Sequence, residues 1–430
     1  MKELTRLIRE DMKPALGVTE PGAIAFAVAS AAAHVQGEIT KVKVALNSGM
    51  YKNAYTCGIP NSSHFGNLYA AALGAVAADA KKGLQSLADI TDEDDAKAAK
   101  MVECGMVEAV LDHIGSEITI DVTVETKQDH CTVHIRGSHT HIVCVEKNGE
   151  KIYEEEDGGK KKAEETDSSG AVSAIHRYSL HEILNYVREV PAEEISFIRE
   201  AFSMNRELLE EGMRAERAVM TKCLLKDNGG GMISKDALKT AQLMCNGAIE
   251  ARVLGLGRPA MSITGSGAHG IIATMPLLAW YKAAGNGMDE TELLRAAALS
   301  YLITMYIKEY SGRLSAFCGC GIAAGTGMAC ALAFMRGADE EAVGRVIRNM
   351  ASGLTGMICD GGNHGCTMKG IVAVDAAFRA VELALEGACI ESIHGINGKT
   401  PEDTMRHMGM IASPGMAGTE KTIVEIMEQK

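Results

Sequence analysis

The pattern of apolar and polar positions changes character twice along the chain. Residues 1–13 set apolar side chains at helical spacing among charged ones, and Pro14 predicts the end of that helix. GVTEPGAIAFAVASAAAHV (17–35) then reads as a helix apolar on most sides. Thr19 is its candidate N-cap, although Thr19-Glu20-Pro21 also reads simply as a well-formed helix start. From Lys41 helical spacing gives way to alternation, and KVKVAL predicts a strand leading into NSGMYKNAYTCGIPNSS. This second stretch reads as a polar, glycine-containing loop, in which Asn47, Ser48, Lys52 and Asn53 crowd hydrogen-bonding groups together. FGNLYAAALGAVAA predicts a helix, and EITIDVTVE sets Ile118, Ile120, Val122 and Val124 on one strand face. HCTVHIRG and HTHIVCVEKNGEKIY predict further strands, the last folded back at the hairpin dipeptide Asn148-Gly149. His139 and His141 alternate on this segment and read as solvent-facing strand residues.

EEEDGGKKKAEETDSSG (154–170) has no apolar face and reads as a solvated linker or mobile loop. Beyond it the helical period returns, in SLHEILNYVREV, EISFIREAFSMNRELLEEGM, ELLRAAALSYLITMYIKEY and TEKTIVEIMEQK. The breaks between these helices are glycine-rich. The expected class is α+β: a large, mainly helical, glycine-rich domain with a smaller inserted α+β unit that contains an antiparallel sheet. The corresponding divisions are 1–37 (helices packing on the helical domain), 38–165 (the small unit) and 166–430 (the helical domain).

Composition narrows the function classes. The 430 residues include 46 Gly and 24 Met but only 4% aromatics, which suits a core of small and flexible apolar side chains. A net charge of −13 argues against a nucleic-acid partner, since phosphate binding needs clustered cations. The charged opening MKELTRLIREDMK lacks the apolar stretch of a signal peptide, and no apolar run reaches the length of a membrane span. Twelve cysteines in that setting point to thiols or metal ligands, and to a cytoplasmic protein with no membrane partner. A homodimer is the expected assembly.

Four of those cysteines sit in glycine-rich turns. Cys359 and Cys366 enclose DGGNHG, a segment flexible enough to bend both thiols toward one point. Cys318 and Cys320 precede a helix beginning near Gly321, whose dipole and N–H groups favour thiolates. Thiolates suit iron–sulfur clusters or zinc, though no C-x-x-C zinc spacing occurs, and burial of four small residues is the plainer alternative. Cys330, deeper in the same run, reads as core. In SITGSGAHG, Ser262, Thr264 and Ser266 with helix-start N–H groups form a candidate anion nest, or merely a structural turn. His269 and His364, each beside a glycine, are candidate acids or bases.

Taken in order, GVTEPGAIAFAVA, NSGMYKNA, CGIP, GSGAHGI, SAFCGCGIAAGTG and GMICDGGNHGCTMK resemble the L-cysteine desulfidases and their uncharacterised close relatives. These are related to the iron–sulfur L-serine dehydratase alpha chain. The resemblance spans almost the whole chain and is most specific in the two cysteine segments. It implies a 4Fe–4S cluster held by three cysteines, with one iron left open to substrate. Matched by motif, Cys359 and Cys366 are two ligands and Cys320 is preferred as the third, with Cys318 its rival. The implied activity is elimination of hydrogen sulfide or water from L-cysteine or L-serine to give pyruvate and ammonia. The base lies among Glu20, His269 and His364, while Asn47, Ser48, Lys52, Asn53, Ser266 and Lys369 are candidate holders of the amino acid.

One departure stands out. Desulfidases carry G-C-T-E-P near the amino terminus where this chain has Val18, which can neither ligate iron nor move a proton; Cys57 is a conceivable substitute. Ala268 likewise stands where relatives often have a polar residue. The alternatives are a catalytically altered or inactive relative that binds a cluster or a small amino acid, or a zinc–thiolate protein.

Overall fold

A computed structural model describes residues 2–155, 173–283, 287–312 and 314–430. Helix α1 (Lys2–Asp11) turns Leu4, Thr5 and Ile8 inward. Pro14, which lacks an N–H to continue a helix, sits in the short strand β1 (Lys13–Leu16). That strand pairs antiparallel with residues 259–262, Ala15 opposite Ala260, and so ties the amino terminus to the distant SITGSGAHG segment. Helix α2 (Thr19–Ala32) is buried along nearly its whole length, as its alanines predict. Its cap is corrected: Val18 is the N-cap residue and no side chain caps the helix. The Thr19 hydroxyl donates instead to Glu20 Oε2 at 3.0 Å.

Strand β2 (Ile39–Asn47) is followed by α3 (Ser48–Ala54), α4 (Gly66–Val76) and α5 (Asp92–Glu103). The stretch read as a polar loop is therefore helical over its first half. The reason is that its leading polar groups have internal partners. Asn47 Nδ2 and Ser48 Oγ donate to the Gly115 carbonyl at 2.9 and 3.3 Å, and Asn47 Oδ1 accepts from Thr119 N at 3.1 Å. Strands β3 (Val107–His113), β4 (Thr119–Thr126), β5 (His130–Arg136), β6 (Ile142–Lys147) and β7 (Glu150–Glu154) complete a six-stranded sheet in the order β3-β2-β4-β5-β6-β7. Its β2–β3 pair is parallel, because α3 to α5 form a crossover, and the remaining pairs are antiparallel. The sheet is thus mixed rather than purely antiparallel. At the hairpin, Asn148 and Gly149 have φ of 52° and 84°, the left-handed pair that a tight turn requires.

One face of the sheet, including Val44, Ile120, Val122, Val133 and Ile135, is fully buried, and α2 packs against β4 and β5 on that side. Each such side chain contributes about 1.5–3 kcal/mol on leaving water. Helix α4 closes over α2 at Gly74, where a Cβ would lie 2.7 Å from Val28 Cβ. Helix α2, which carries Glu20, is thereby held between the sheet and α4. The charged stretch read as a linker lies, from residue 156 on, outside the described residues.

The carboxy-terminal part is helical as expected: α6 (Leu180–Glu189), α7 (Arg199–Arg214), α8 (Val219–Asp227) and α9 (Ala237–Val253). Strand β8 (Pro259–Ser262), the partner of β1, leads into α10 (Gly267–Ala283), followed by α11 (Glu290–Ser311) and α12 (Gly325–Met335). Then come α13 (Glu340–Leu354), α14 (Gly365–Leu385), α15 (Pro401–Met410) and α16 (Ala417–Glu428). Helices α9 to α12 are buried on most sides, and their core is continuous with the sheet face. Cys330 lies in it, fully buried. Among the described residues no helix is long and apolar enough to cross a membrane.

Candidate active site

The two cysteine segments are joined by a short antiparallel bridge. Phe317 pairs with Ile358, Cys318 N donates to Met357 O at 3.1 Å, and Cys359 N donates to Ala316 O at 2.6 Å. Past the bridge, Cys320 opens a π-helical turn (Cys320–Ala324) that runs into α12, and Cys366 lies in the first turn of α14. Cys320, Cys359 and Cys366 line one cavity of about 90 Å³. Cys318 is buried beside them, its sulfur accepting from Gly321 N at 3.5 Å. The thiol of Cys320 hydrogen-bonds to Cys318, which pulls the Cys318 pKa down and pushes that of Cys320 up. Burial, partly offset by the Lys369 ammonium, raises Cys366 to about 11. Lys369 is ion-paired with Asp360 of the same loop.

The start of α2 and the end of α3 supply the opposite wall. Glu20 is buried; its Oε1 accepts from Asn53 Nδ2 at 2.8 Å. Burial alone would raise this carboxyl, but His139, Asn53 and Arg252 outweigh it and lower the pKa to about 2. Asn53 also reaches the cysteine loop: its backbone O accepts from Gly362 N at 3.0 Å, and its Oδ1 faces Cys359 Sγ at 3.9 Å. Val18 lines the cavity beside Gly362, where a Cβ would lie 2.6 Å from Val18 Cγ1. Cys57 is fully buried off the cavity and donates to Ala54 O at 3.4 Å, its thiol pushed well up by burial.

The β8–α10 turn, with positive φ at Thr264 (49°) and Gly265 (76°), closes the cavity and contributes Ser266, Ala268 and His269. The expected anion nest is in part already filled, since Thr264 N donates to Asp11 Oδ2 at 2.5 Å. His269 is buried, and its Nδ1 is 2.6 Å from Thr264 Oγ1. The Thr264 hydroxyl also reaches Ile263 O at 2.8 Å; with its hydrogen given there, the oxygen accepts from Nδ1–H and Nε2 carries the lone pair. Nε2 faces the cysteine segment; a Cβ on Gly319 would sit 2.6 Å from it. Burial, then Lys308 and Arg252, hold the His269 pKa well below its usual value. Lys308, also on the cavity wall, donates to Gly312 O at 2.8 Å, and burial lowers its pKa to about 8.

The remaining candidates fall elsewhere. His364 lies off the cavity, its Nε2 2.5 Å from Oε1 of the buried Glu250. Lys52 also lies off the cavity, donating to Ser315 O, Cys359 O and Glu420 Oε2 at 3.1, 2.9 and 2.8 Å. Asn47 and Ser48 hold the 115–119 segment instead of facing the cavity, and Ser262 belongs to β8. Besides Lys308, two residues that sequence reasoning did not select are on the wall. His139, expected to face solvent on a strand, lies in the turn after β5, buried, with Nε2 3.8 Å from Glu20 Oε1. Its alternation with His141 misled because β5 ends at Arg136. Arg252, near the end of α9, is 4% exposed, and its Nε has no hydrogen-bond partner among the described residues. No sequence signal singled it out.

Residues 81–425 match the model of the serine dehydratase alpha chain. The chain belongs to that family. Three relatives extend the likeness over the full length. A UPF0597 protein of Clostridium botulinum (strain Langeland) is 40% identical over 424 residues, 99% of this chain and 98% of the relative. Another, from Caldanaerobacter subterraneus subsp. tengcongensis, is 35% identical over 427 residues, covering 99% and 98%. A third, from Alkaliphilus oremlandii, is 33% identical over 427 residues, covering 99% and 97%. The family match takes in both cysteine segments, the β8–α10 turn, His139 and Arg252, whereas Val18, Glu20 and Asn53 lie before it.

Proposed function

We propose that this chain is an iron–sulfur-dependent lyase that eliminates water from L-serine, or hydrogen sulfide from L-cysteine, to leave pyruvate and ammonia. The observation that carries the reading is one cavity shared by three thiols and an imidazole with a free ring lone pair, in a member of the serine dehydratase alpha chain family.

The donor set fits a cluster. Soft thiols gather at one wall, and Gly319, Gly361 and Gly362 present no Cβ beside them. Among the described residues no three His, Cys, Asp or Glu side chains are grouped to hold a single metal ion. Cys320, Cys359 and Cys366 are the assigned ligands, and the place of Cys318 behind the wall supports that choice. Held by these three thiolates, a 4Fe–4S cluster would supply Lewis acidity toward the departing hydroxyl or thiol.

The chain's own residues do the rest. His269 Nε2 accepts the α-proton, and the electron pair left on Cα forms the Cα=Cβ bond as the C–O or C–S bond breaks. The imidazolium returns this proton to the departing group, which leaves as water or hydrogen sulfide and restores neutral His269. The resulting aminoacrylate rearranges to the imine, which water hydrolyses to pyruvate and ammonia. Burial keeps His269 neutral and the reacting carbon away from bulk water.

The test is anaerobic purification followed by iron and sulfide analysis and an assay of pyruvate release from both amino acids. A brown protein that loses colour and iron in Cys359→Ala, and that releases pyruvate, meets the expectation. Zinc without iron would overturn the cofactor. A fully loaded cluster with no turnover would favour the altered relative suggested by Val18.

A further inference from the structure

Among the buried polar side chains on the cavity wall, Arg252, Glu20 and His139 have no task in proton transfer or cluster binding. Arg252 is the most exceptional. It is 4% exposed, it lines the cavity, and among the described residues no hydrogen bond or ion pair holds its guanidinium. A buried guanidinium without a partner is costly, and it persists where something supplied from outside completes it. Its position is also guarded. The first residue of α10 is Gly267, and a Cβ there would lie 2.8 Å from Arg252 Nε and 3.0 Å from Ala260 Cβ. Facing the same space is Glu20, buried, held by Thr19 and Asn53, and outside ion-pairing distance of Arg252. His139 stands beside Glu20, its Nε2 3.8 Å from Glu20 Oε1 and without a hydrogen bond among the described residues.

We propose that Arg252 and Glu20 form a zwitterion clamp, in which the Arg252 guanidinium takes the carboxylate of a small α-amino acid and Glu20, backed by His139, takes its ammonium group. This deepens the function proposed above and rests on it. It narrows the ligand to a free α-amino acid: a carboxylic acid without the amine would leave Glu20 unmatched, and an amine without the carboxylate would leave Arg252 unmatched. The guanidinium's paired donors match both carboxylate oxygens, a fit that a lysine ammonium lacks.

The experiment measures binding by calorimetry on anaerobically purified, cluster-loaded protein. The probes are L-serine, glycine, 3-hydroxypropionate (no amine) and ethanolamine (no carboxylate). Wild-type protein is expected to bind L-serine at least about 30-fold more tightly than either truncated ligand, as loss of one partner from a buried charge pair requires. Arg252→Met should weaken L-serine and 3-hydroxypropionate by a similar factor while leaving ethanolamine unchanged. Glu20→Gln should show the converse pattern, and Arg252→Lys should fall between wild type and Arg252→Met. The truncated ligands test the clamp on the unaltered protein, so a variant that fails to fold does not remove the test. L-serine affinity within twofold of wild type in Arg252→Met would overturn the proposal, as would absence of binding by both L-serine and glycine to wild type. Tight, clamp-dependent binding without pyruvate release would instead refute the lyase reading and leave the clamp standing.

Discussion

His269 Nδ1 lies 2.6 Å from Thr264 Oγ1, which also reaches the Ile263 carbonyl at 2.8 Å, and the direction of these two hydrogen bonds decides which imidazole nitrogen can take a proton. Thr264→Val keeps the shape but removes the acceptor, freeing the ring to adopt the other tautomer with Nε2 protonated. Pyruvate release is expected to fall about a hundredfold, the scale of general base catalysis, with little change in L-serine affinity. A fall confined to KM would count against this assignment.

The same histidine gives a pH signature. Its pKa is depressed by burial and by Lys308 and Arg252, so the folded state stays neutral where the unfolded chain, near pKa 6.5, binds a proton. The stability linked to His269 is therefore complete above about pH 6.5 and is lost as the pH falls below that value. The slope reaches at most about 1.4 kcal/mol per pH unit. Urea midpoints at pH 5, 6 and 7 should converge between wild type and His269→Gln toward the acid end. A difference independent of pH would contradict the shift.

Lys52 and Glu420 form a buried ion pair that also fastens the cysteine loop, because Lys52 Nζ donates to the Cys359 carbonyl. Lys52→Met strands the Glu420 carboxylate in the interior, and a loss of about 3–5 kcal/mol in urea unfolding is expected. Lys52→Met with Glu420→Leu should recover most of it. Iron content should drop in the single variant and return in part in the double one.

How much of this was legible follows from where each signal resides. The alternation through β4 and β5 and the Asn148-Gly149 turn are local, and both appear as read. Strand β3 passed unnoticed because residues 107–113 are partly buried on both faces and do not alternate. The likeness of the cysteine motifs to the family came through in the sequence. Their convergence depends on the Phe317–Ile358 bridge, a pairing across about forty residues that no local pattern encodes. Arg252 was missed for a related reason. A charge near the end of a helical run reads as the solvated face, but α9 is buried on most sides and has little such face.

The last prediction concerns Val18, whose Cγ1 would lie 2.6 Å from a Cβ placed on Gly362 in the cysteine loop. A residue at this position therefore faces both the cavity and the segment between Cys359 and Cys366. In Val18→Cys, the smaller side chain removes a little apolar volume at a buried site, and a stability loss of at most about 1.5 kcal/mol is expected. The new thiol stands on the cavity wall with Glu20 and Asn53, where it can exchange a proton with a bound substrate. Pyruvate release from L-cysteine should rise relative to wild type, and the rise should vanish in Val18→Ser, which has nearly the same size but a hydroxyl of much higher pKa. Equal rates in all three proteins would mean that Val18 is only a packing residue, and that the proton inventory of this cavity is complete without a thiol there.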